Sequence, residues 1–220
     1  MKLRFIVVAA MTCSLSACVS WFYTPGLAKL GEYCQEDAGY EVTGSVEVEG
    51  YFAASKHACE FCWKPIVEDG YQYLEFYNTE TSAGSPFRHE GLYRLENAER
   101  TSEQCHEQLD RVMKQHGKRM QSLQNYLAHQ CIKASLVEEK KSLYAVSFET
   151  SNIQVNGFHS SILVRSESRT WEITSNRTLS NSIYYSLYPW PKSSLDYSRK
   201  FGCEDLGRRP KLSEVLVPKK

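Results

Sequence analysis

The chain has 220 residues, 26 basic and 26 acidic side chains, 42% hydrophobic residues and eight cysteines. This is the stock of a folded domain, and it excludes a collagen, a coiled-coil rod and a polytopic membrane protein. With no net charge there is no broad positive field to gather phosphates, so nucleic acid is not an expected partner.

At the N-terminus, Lys2 and Arg4 precede the apolar run Phe5 to Met11, and small residues follow. That order is the layout of an export signal, and the run falls short of the roughly twenty residues that a membrane-spanning helix needs. It closes on Leu15-Ser16-Ala17-Cys18, which resembles the bacterial lipobox. The resemblance implies a signal peptide of residues 1–17, cleavage before Cys18 and acylation of its thiol. Two or three acyl chains, at about 0.8 kcal/mol per buried methylene, hold a protein durably where one chain is marginal. Val19, where an aspartate would mark retention, implies the outer membrane by similarity to sorted lipoproteins of enteric-type bacteria, with the domain facing the periplasm. A plain secretory signal cut near Ala17 and a retained N-terminal anchor are the competing readings.

Residues 18–29, with Pro25 and Gly26, read as a tether, and residues 30–206 as a single domain. Residues 40–52 alternate, with Tyr40, Val42, Val46 and Val48 on one side and Glu41, Thr43, Ser45, Glu47 and Glu49 on the other, which predicts a half-buried strand. A second strand is predicted at 70–77, where Gln72, Leu74 and Phe76 oppose Tyr71, Tyr73, Glu75 and Tyr77. Asn78 to Arg88 reads as a polar loop, and Leu92 to Leu95 as a short strand. The period then changes. Cys105, Leu109, Val112, His116, Met120, Leu123, Leu127 and Cys131 recur at steps of three and four, which predicts a helical segment over about 102–131.

After the helix, strands are predicted at Leu143 to Glu149, Ser160 to Ser166, Arg169 to Ser175 and around Ile183 to Tyr188, with turns at Asn156-Gly157 and Glu167-Ser168. Such short connections imply antiparallel pairing. Residues 207–220 read as an irregular tail. The expected class is therefore α+β: a mainly antiparallel sheet with one long central helix, or a helical hairpin, stapled by disulfides.

Export sets how the cysteines are read. Cys13 leaves with the signal and Cys18 carries lipid, so Cys34, Cys59, Cys62, Cys105, Cys131 and Cys203 remain, an even set for which the default outside the cytosol is disulfides. One straight helix would put Cys105 and Cys131 about 39 Å apart and forbid a bond between them. A break near His116 and Gly117 would let them meet at the open end of a hairpin. The unbroken stripe favours the single helix, since a glycine costs only about 1 kcal/mol in a helix interior.

Leu30 to Phe52, with Tyr33-Cys34, Asp37-Ala38-Gly39, Val42 and Tyr51-Phe52, resembles the start of a group of small proteobacterial lipoproteins of unassigned function. That group closes with a strand, a Trp or His beside Pro, serines and a final cysteine, matched here by Tyr184 to Pro191, Ser193-Ser194 and Cys203. The resemblance covers about a quarter of the chain after the signal, and it implies a bond between Cys34 and Cys203. It transfers no catalytic residue.

Several patterns bear on chemistry. Cys59-Glu60-Phe61-Cys62 is a CxxC, a spacing used for redox exchange, metal or haem. Haem attachment needs a histidine where Trp63 stands. Zinc could draw on Cys59, Cys62, Cys105 and Cys131, with His57 or His106 substituting, but only one knuckle is present. There is no GxSxG, no HExxH and no complete SxxK set. His106 with Asp110 and Glu47 with Glu49 read as surface pairs. Tyr71, Tyr73, Tyr77, Tyr184, Tyr185, Tyr188 and Trp190 would suit a glycan groove, though packing explains them more simply. Lys219-Lys220 resembles the end of the murein lipoprotein, whose last lysine is joined to peptidoglycan. The weight of these patterns falls on structural disulfides, with no catalytic residue, metal or cofactor expected. The expected role is a non-catalytic one toward an envelope protein or peptidoglycan. The alternatives are a thiol-disulfide or metal protein using Cys59 and Cys62, and a cell-wall glycan binder or hydrolase.

Overall fold

The computed structural model describes residues 26–55, 61–79, 86–100, 104–117, 120–155, 161–188, 201–203 and 212–219. Helix α1 covers 26–36. It is followed by β1 (Gly39–Val42), β2 (Val46–Val48), β3 (Gly50–Ala53), α2 (Lys64–Val67), β4 (Tyr73–Asn78), β5 (Gly91–Glu99), α3 (Glu107–Gly117), α4 (Gln121–His129) and β6 (Gln130–Val137). The remaining elements are β7 (Tyr144–Val155), β8 (Ser161–Glu172), β9 (Thr178–Tyr188), β10 (Phe201–Gly202), α5 (Leu212–Val215) and β11 (Leu216–Pro218). Strand order is β1-β9-β8-β7-β3-β4-β5-β6, with β10 against β9, and β11 pairs with β2 in a second sheet. The chain divides into two compact units, to both of which β7, β8 and β9 contribute residues.

The larger unit is built on β3 to β6. Period-two alternation gives this sheet two different faces. On one face Leu74 of β4 pairs with Leu95 of β5, which pairs with Ala134 of β6, and Phe76 pairs with Tyr93. These side chains pack with Leu109 and Met113 of α3, Leu123 of α4, and Ile66 and Trp63 at α2 to form the core. On the other face, Tyr73 pairs with Glu96, which pairs with Lys133, and Glu75 pairs with Arg94. β3 lies parallel to β4, with Gly50 opposite Tyr73. A Cβ on Gly50 would lie 2.1 Å from the Tyr73 carbonyl oxygen and 2.7 Å from its ring. Gly50→Ala is therefore expected to cost at least about 2 kcal/mol by overpacking, read as a lower urea midpoint at unchanged slope.

In the smaller unit, Leu30 of α1 packs with Leu163, Tyr185, Leu187 and Cys203, and Tyr33, Cys34 and Ala38 close around them. The Tyr33 and Tyr185 rings stack at 4.8 Å.

The expected α+β class, with one long central helix or a helical hairpin, is overturned: among the described residues the chain is mostly β-sheet, with five short helices and no single long one. Within 102–131 the chain forms α3 and α4, and Met120 between them is extended (φ −131°, ψ 103°). Leu109, Met113 and Gly117 are buried on α3 and Leu123 on α4. Both arms thus turn an apolar stripe to one core, and a stripe at helical spacing does not reveal the reversal between them.

The sheet is also mixed and not mainly antiparallel at its centre, because β3 runs parallel to both β4 and β7. β8 runs straight through Glu167-Ser168, where a turn was expected. The reversal comes at 173–177, with Asn176 at φ 54°, a left-handed conformation that asparagine tolerates and glutamate or serine does not favour. Residues 212–218, read as part of an irregular tail, form α5 and β11, and β11 pairs with β2 through Leu216↔Val46.

Candidate functional site

The polar face of the larger unit is organised by one carboxylate. Glu75 is 0% exposed, and Arg94 donates to its Oε1 from Nε at 2.8 Å and from Nη2 at 2.6 Å. From the connection between β6 and β7, the Lys141 N–H donates at 3.0 Å, the Ser142 N–H at 2.9 Å and the Ser142 hydroxyl at 2.6 Å. Burial alone would push the Glu75 pKa up. The bonds from Ser142, Lys141 and Arg94 outweigh that and hold the carboxyl below its ordinary 4.5. The connection is strapped down further by Arg94, which donates to the Glu139 carbonyl at 3.2 Å, and by Lys140, whose ammonium lies 3.8 Å from the centre of the Phe52 ring.

Beside this strap lies an open hollow of about 620 Å³, with Tyr73, Glu96, Ala98, Glu99, Lys133 and Lys141 among its lining. The volume falls within the range of ligand sites. Tyr73 and Ala98 supply a floor from β4 and β5. Lys141 is held in place, its ammonium 3.0 Å from Glu49 and 4.6 Å from the centre of the Tyr73 ring. Lys133 sits directly opposite Glu96 in the ladder. Among the described residues, Lys133, Glu96 and Glu99 nevertheless make no side-chain ion pair or hydrogen bond. On this face the hollow therefore presents Lys133 and Glu96, which no described side chain bonds.

Cys18 and Cys59 lie outside the described residues. Cys34 is bonded to Cys203 (Cα–Cα 5.4 Å), the pair implied by the lipoprotein resemblance, and Cys105 to Cys131 (Cα–Cα 5.6 Å). The second bond closes the open end of the α3–α4 hairpin, which is why a single helix is impossible here. Cys62 is 2% exposed and is also disulfide-bonded. Among the described residues no group of three or more His, Cys, Asp and Glu could hold a metal ion.

The other singled-out residues are spread through the fold. His106 is half-buried before α3, where its Nδ1 accepts from the Leu109 N–H at 3.3 Å, and burial pushes its pKa down. Asp110 answers Arg100 at 2.6 Å and Lys114 at 2.7 Å, so the two residues do not act as a base and its orienter. Glu49 pairs with Lys141, which holds its carboxyl low, the reverse of what a general acid requires. Glu47 is exposed on β2. Tyr71 is fully buried and donates to the Leu216 carbonyl at 2.6 Å, whereas Tyr77 is 53% exposed. Tyr185 donates to Asp37, and burial together with that carboxylate pushes its phenol up to about 12. Tyr184, Tyr185 and Tyr188 belong to the smaller unit and Tyr71, Tyr73 and Tyr77 to the larger. Trp190 lies outside the described residues.

Glu75, Arg94, Lys133 and Lys141 are not singled out by motif. One signal for Glu75 is present: tyrosines stand two residues to either side, at Tyr73 and Tyr77, so a carboxylate shares a strand face with rings and not with other charges. No family model matches the chain, and no curated protein or solved structure matches it either.

Proposed function

We propose that the chain is a lipid-anchored protein of the bacterial envelope, held in the outer membrane through Cys18, whose role is to bind an envelope component without catalysis. The observation that carries this reading is the state of the thiols. All five described cysteines are in disulfides, which is how cysteines settle outside the cytosol and which agrees with the export signal at Lys2 to Cys18. The polar hollow beside the Glu75 strap supports a binding role, since it joins an adequate volume with the charges of Lys133 and Glu96, which no described side chain bonds.

Growth of a bacterial host with labelled palmitate tests the anchor. The full chain is expected to take up label and to sediment with outer membranes, and Cys18→Ser to take up none. An unlabelled wild-type chain recovered in the cytosol with free thiols would overturn the reading. Crosslinking in intact envelopes, followed by purification of the chain, is expected to retain one envelope component that a Lys133→Gln, Glu96→Gln double variant loses.

A further inference from the structure

His106 stands immediately before α3, where its backbone ties the helix to the sheet. Its N–H donates to the Ile132 carbonyl of β6 at 2.8 Å, and its carbonyl accepts from the Asp110 N–H at 3.0 Å. The centre of its ring lies 5.3 Å from that of Phe87, a buried residue of the core. On the helix side, the Leu109 N–H donates to its Nδ1 at 3.3 Å. This is a helix cap, in which a side chain answers one of the first-turn N–H groups that have no partner within the helix. A backbone N–H can only donate, so the bond requires a bare Nδ1 and hence a neutral ring. A proton on Nδ1 would set donor against donor and put positive charge at the helix end where the backbone dipole is already positive. The charged and titratable neighbours are Glu107 and Asp110 on α3, Lys133 of β6 opposite Cys105, and Arg88, His89 and Glu90 beside Phe87. Glu107 is paired with Arg111, and Asp110 with Arg100 and Lys114. Among the described residues no carboxylate bonds the ring, so none stands ready to stabilise its charged form.

We propose that His106 is a proton-operated cap: neutral, it fastens the first turn of α3 to the core, and protonated in acid it lets that turn go. The turn carries Leu109, which is 2% exposed, so its release loosens α3 against the sheet. Cys105, one residue before, stays tied to Cys131, which confines the loosening to the turn. Burial favours the neutral ring and puts its folded pKa below the ordinary 6.5. The cap is therefore complete above about pH 6.5 and is lost as pH falls through the lower folded value. This device is independent of the binding role proposed above.

Proton NMR of the purified full chain gives the titration midpoint of the His106 ring, and amide hydrogen exchange at pH 7 and at about one unit below that midpoint tests the cap. After correction for intrinsic exchange, protection of the Leu109 amide in the wild type is expected to fall about fivefold in acid, the loss that follows when a helix cap is removed. His106→Asn keeps a capping side chain that does not titrate there, and its protection should be the same at both pH values. His106→Ala should be as weakly protected at pH 7 as the wild type is in acid. The Leu95 amide of β5 should hold its protection throughout. An unchanged Leu109 amide in the acidified wild type overturns the proposal, as does a ring that takes up no proton while the chain stays folded. A His106→Asn variant that loses as much as the wild type also overturns it, because Glu107, Asp110 or His89 would then be the group that titrates. Equal loss at Leu95 would do so too, since the whole unit and not the turn would be opening.

Discussion

Glu75→Gln is expected to destabilise the larger unit by about 3 kcal/mol, the order of loss that follows when one partner of a buried ion pair is removed. The carboxylate accepts from Arg94, from the N–H groups of Lys141 and Ser142 and from the Ser142 hydroxyl. A glutamine offers one acceptor oxygen in place of two, and its amide would turn donors toward donors. Each buried donor left without an acceptor adds about 1–3 kcal/mol. The pH dependence gives a second check. Because the folded carboxyl titrates below its ordinary 4.5, its contribution is complete above about pH 4.5 and is lost as pH falls through the lower folded value. Urea unfolding of wild type and Glu75→Gln should therefore show a full gap at pH 7 and a shrinking one below pH 4.5. A gap that stays constant into acid would mean that the charge of Glu75 contributes nothing.

Removing the bond between Cys34 and Cys203, as Cys34→Ser with Cys203→Ser, is expected to cost about 4 kcal/mol. The two cysteines are 169 residues apart, and closing so long a loop restricts the unfolded chain strongly, by about 5 kcal/mol on loop entropy alone, with measured bonds more often at about 2–4. The loss should be local. Hydrogen exchange is expected to show amides of α1 and β10 losing protection first, because Leu30, Tyr33 and Cys203 share one small cluster with Leu163, Tyr185 and Leu187. Amides of β4 and β5 should keep theirs. The pair Cys105 and Cys131 closes only 26 residues, and its removal should cost less, about 3 kcal/mol. Equal protection of α1 with and without the Cys34–Cys203 bond would show that packing alone holds that helix.

Some of this fold was legible from side-chain order and some was not, for physical reasons. The strand near 70–77 reads correctly because Leu74 and Phe76 alternate with Tyr73, Glu75 and Tyr77, and the core takes one set. β6 is hidden because Cys131 continues the helical stripe, although Cys131, Ile132 and Ala134 then serve a strand. The reversal after α3 leaves no breaker stronger than Gly117, and a Cβ there would meet Leu123 and Leu127 only at ordinary contact distance, 3.6 Å. The bond from Cys105 to Cys131 and the shared core hold the two arms together. Of the site, CxxC spacing pointed to Cys59 and Cys62, whereas the charges that no described side chain bonds in the hollow belong to Glu96 and Lys133. Glu96 and Lys133 are brought opposite one another only through the pairing of β5 with β6, a register that no local pattern encodes.

The strand β3 carries a kinetic consequence. Its two neighbours, β4 and β7, both run in its own direction, and β7 meets it only at Ala145 and Val146. As the polypeptide is made, β4, β5 and β6 can zip together in order, since each reverses onto the one before. The far side of β3 then keeps bare amide and carbonyl groups until the chain has grown past Val146, and such an unpaired edge is the part of a nascent sheet most prone to join a neighbouring molecule. Slow assembly and a need for chaperoning before β7 arrives are the expected signature of that topology.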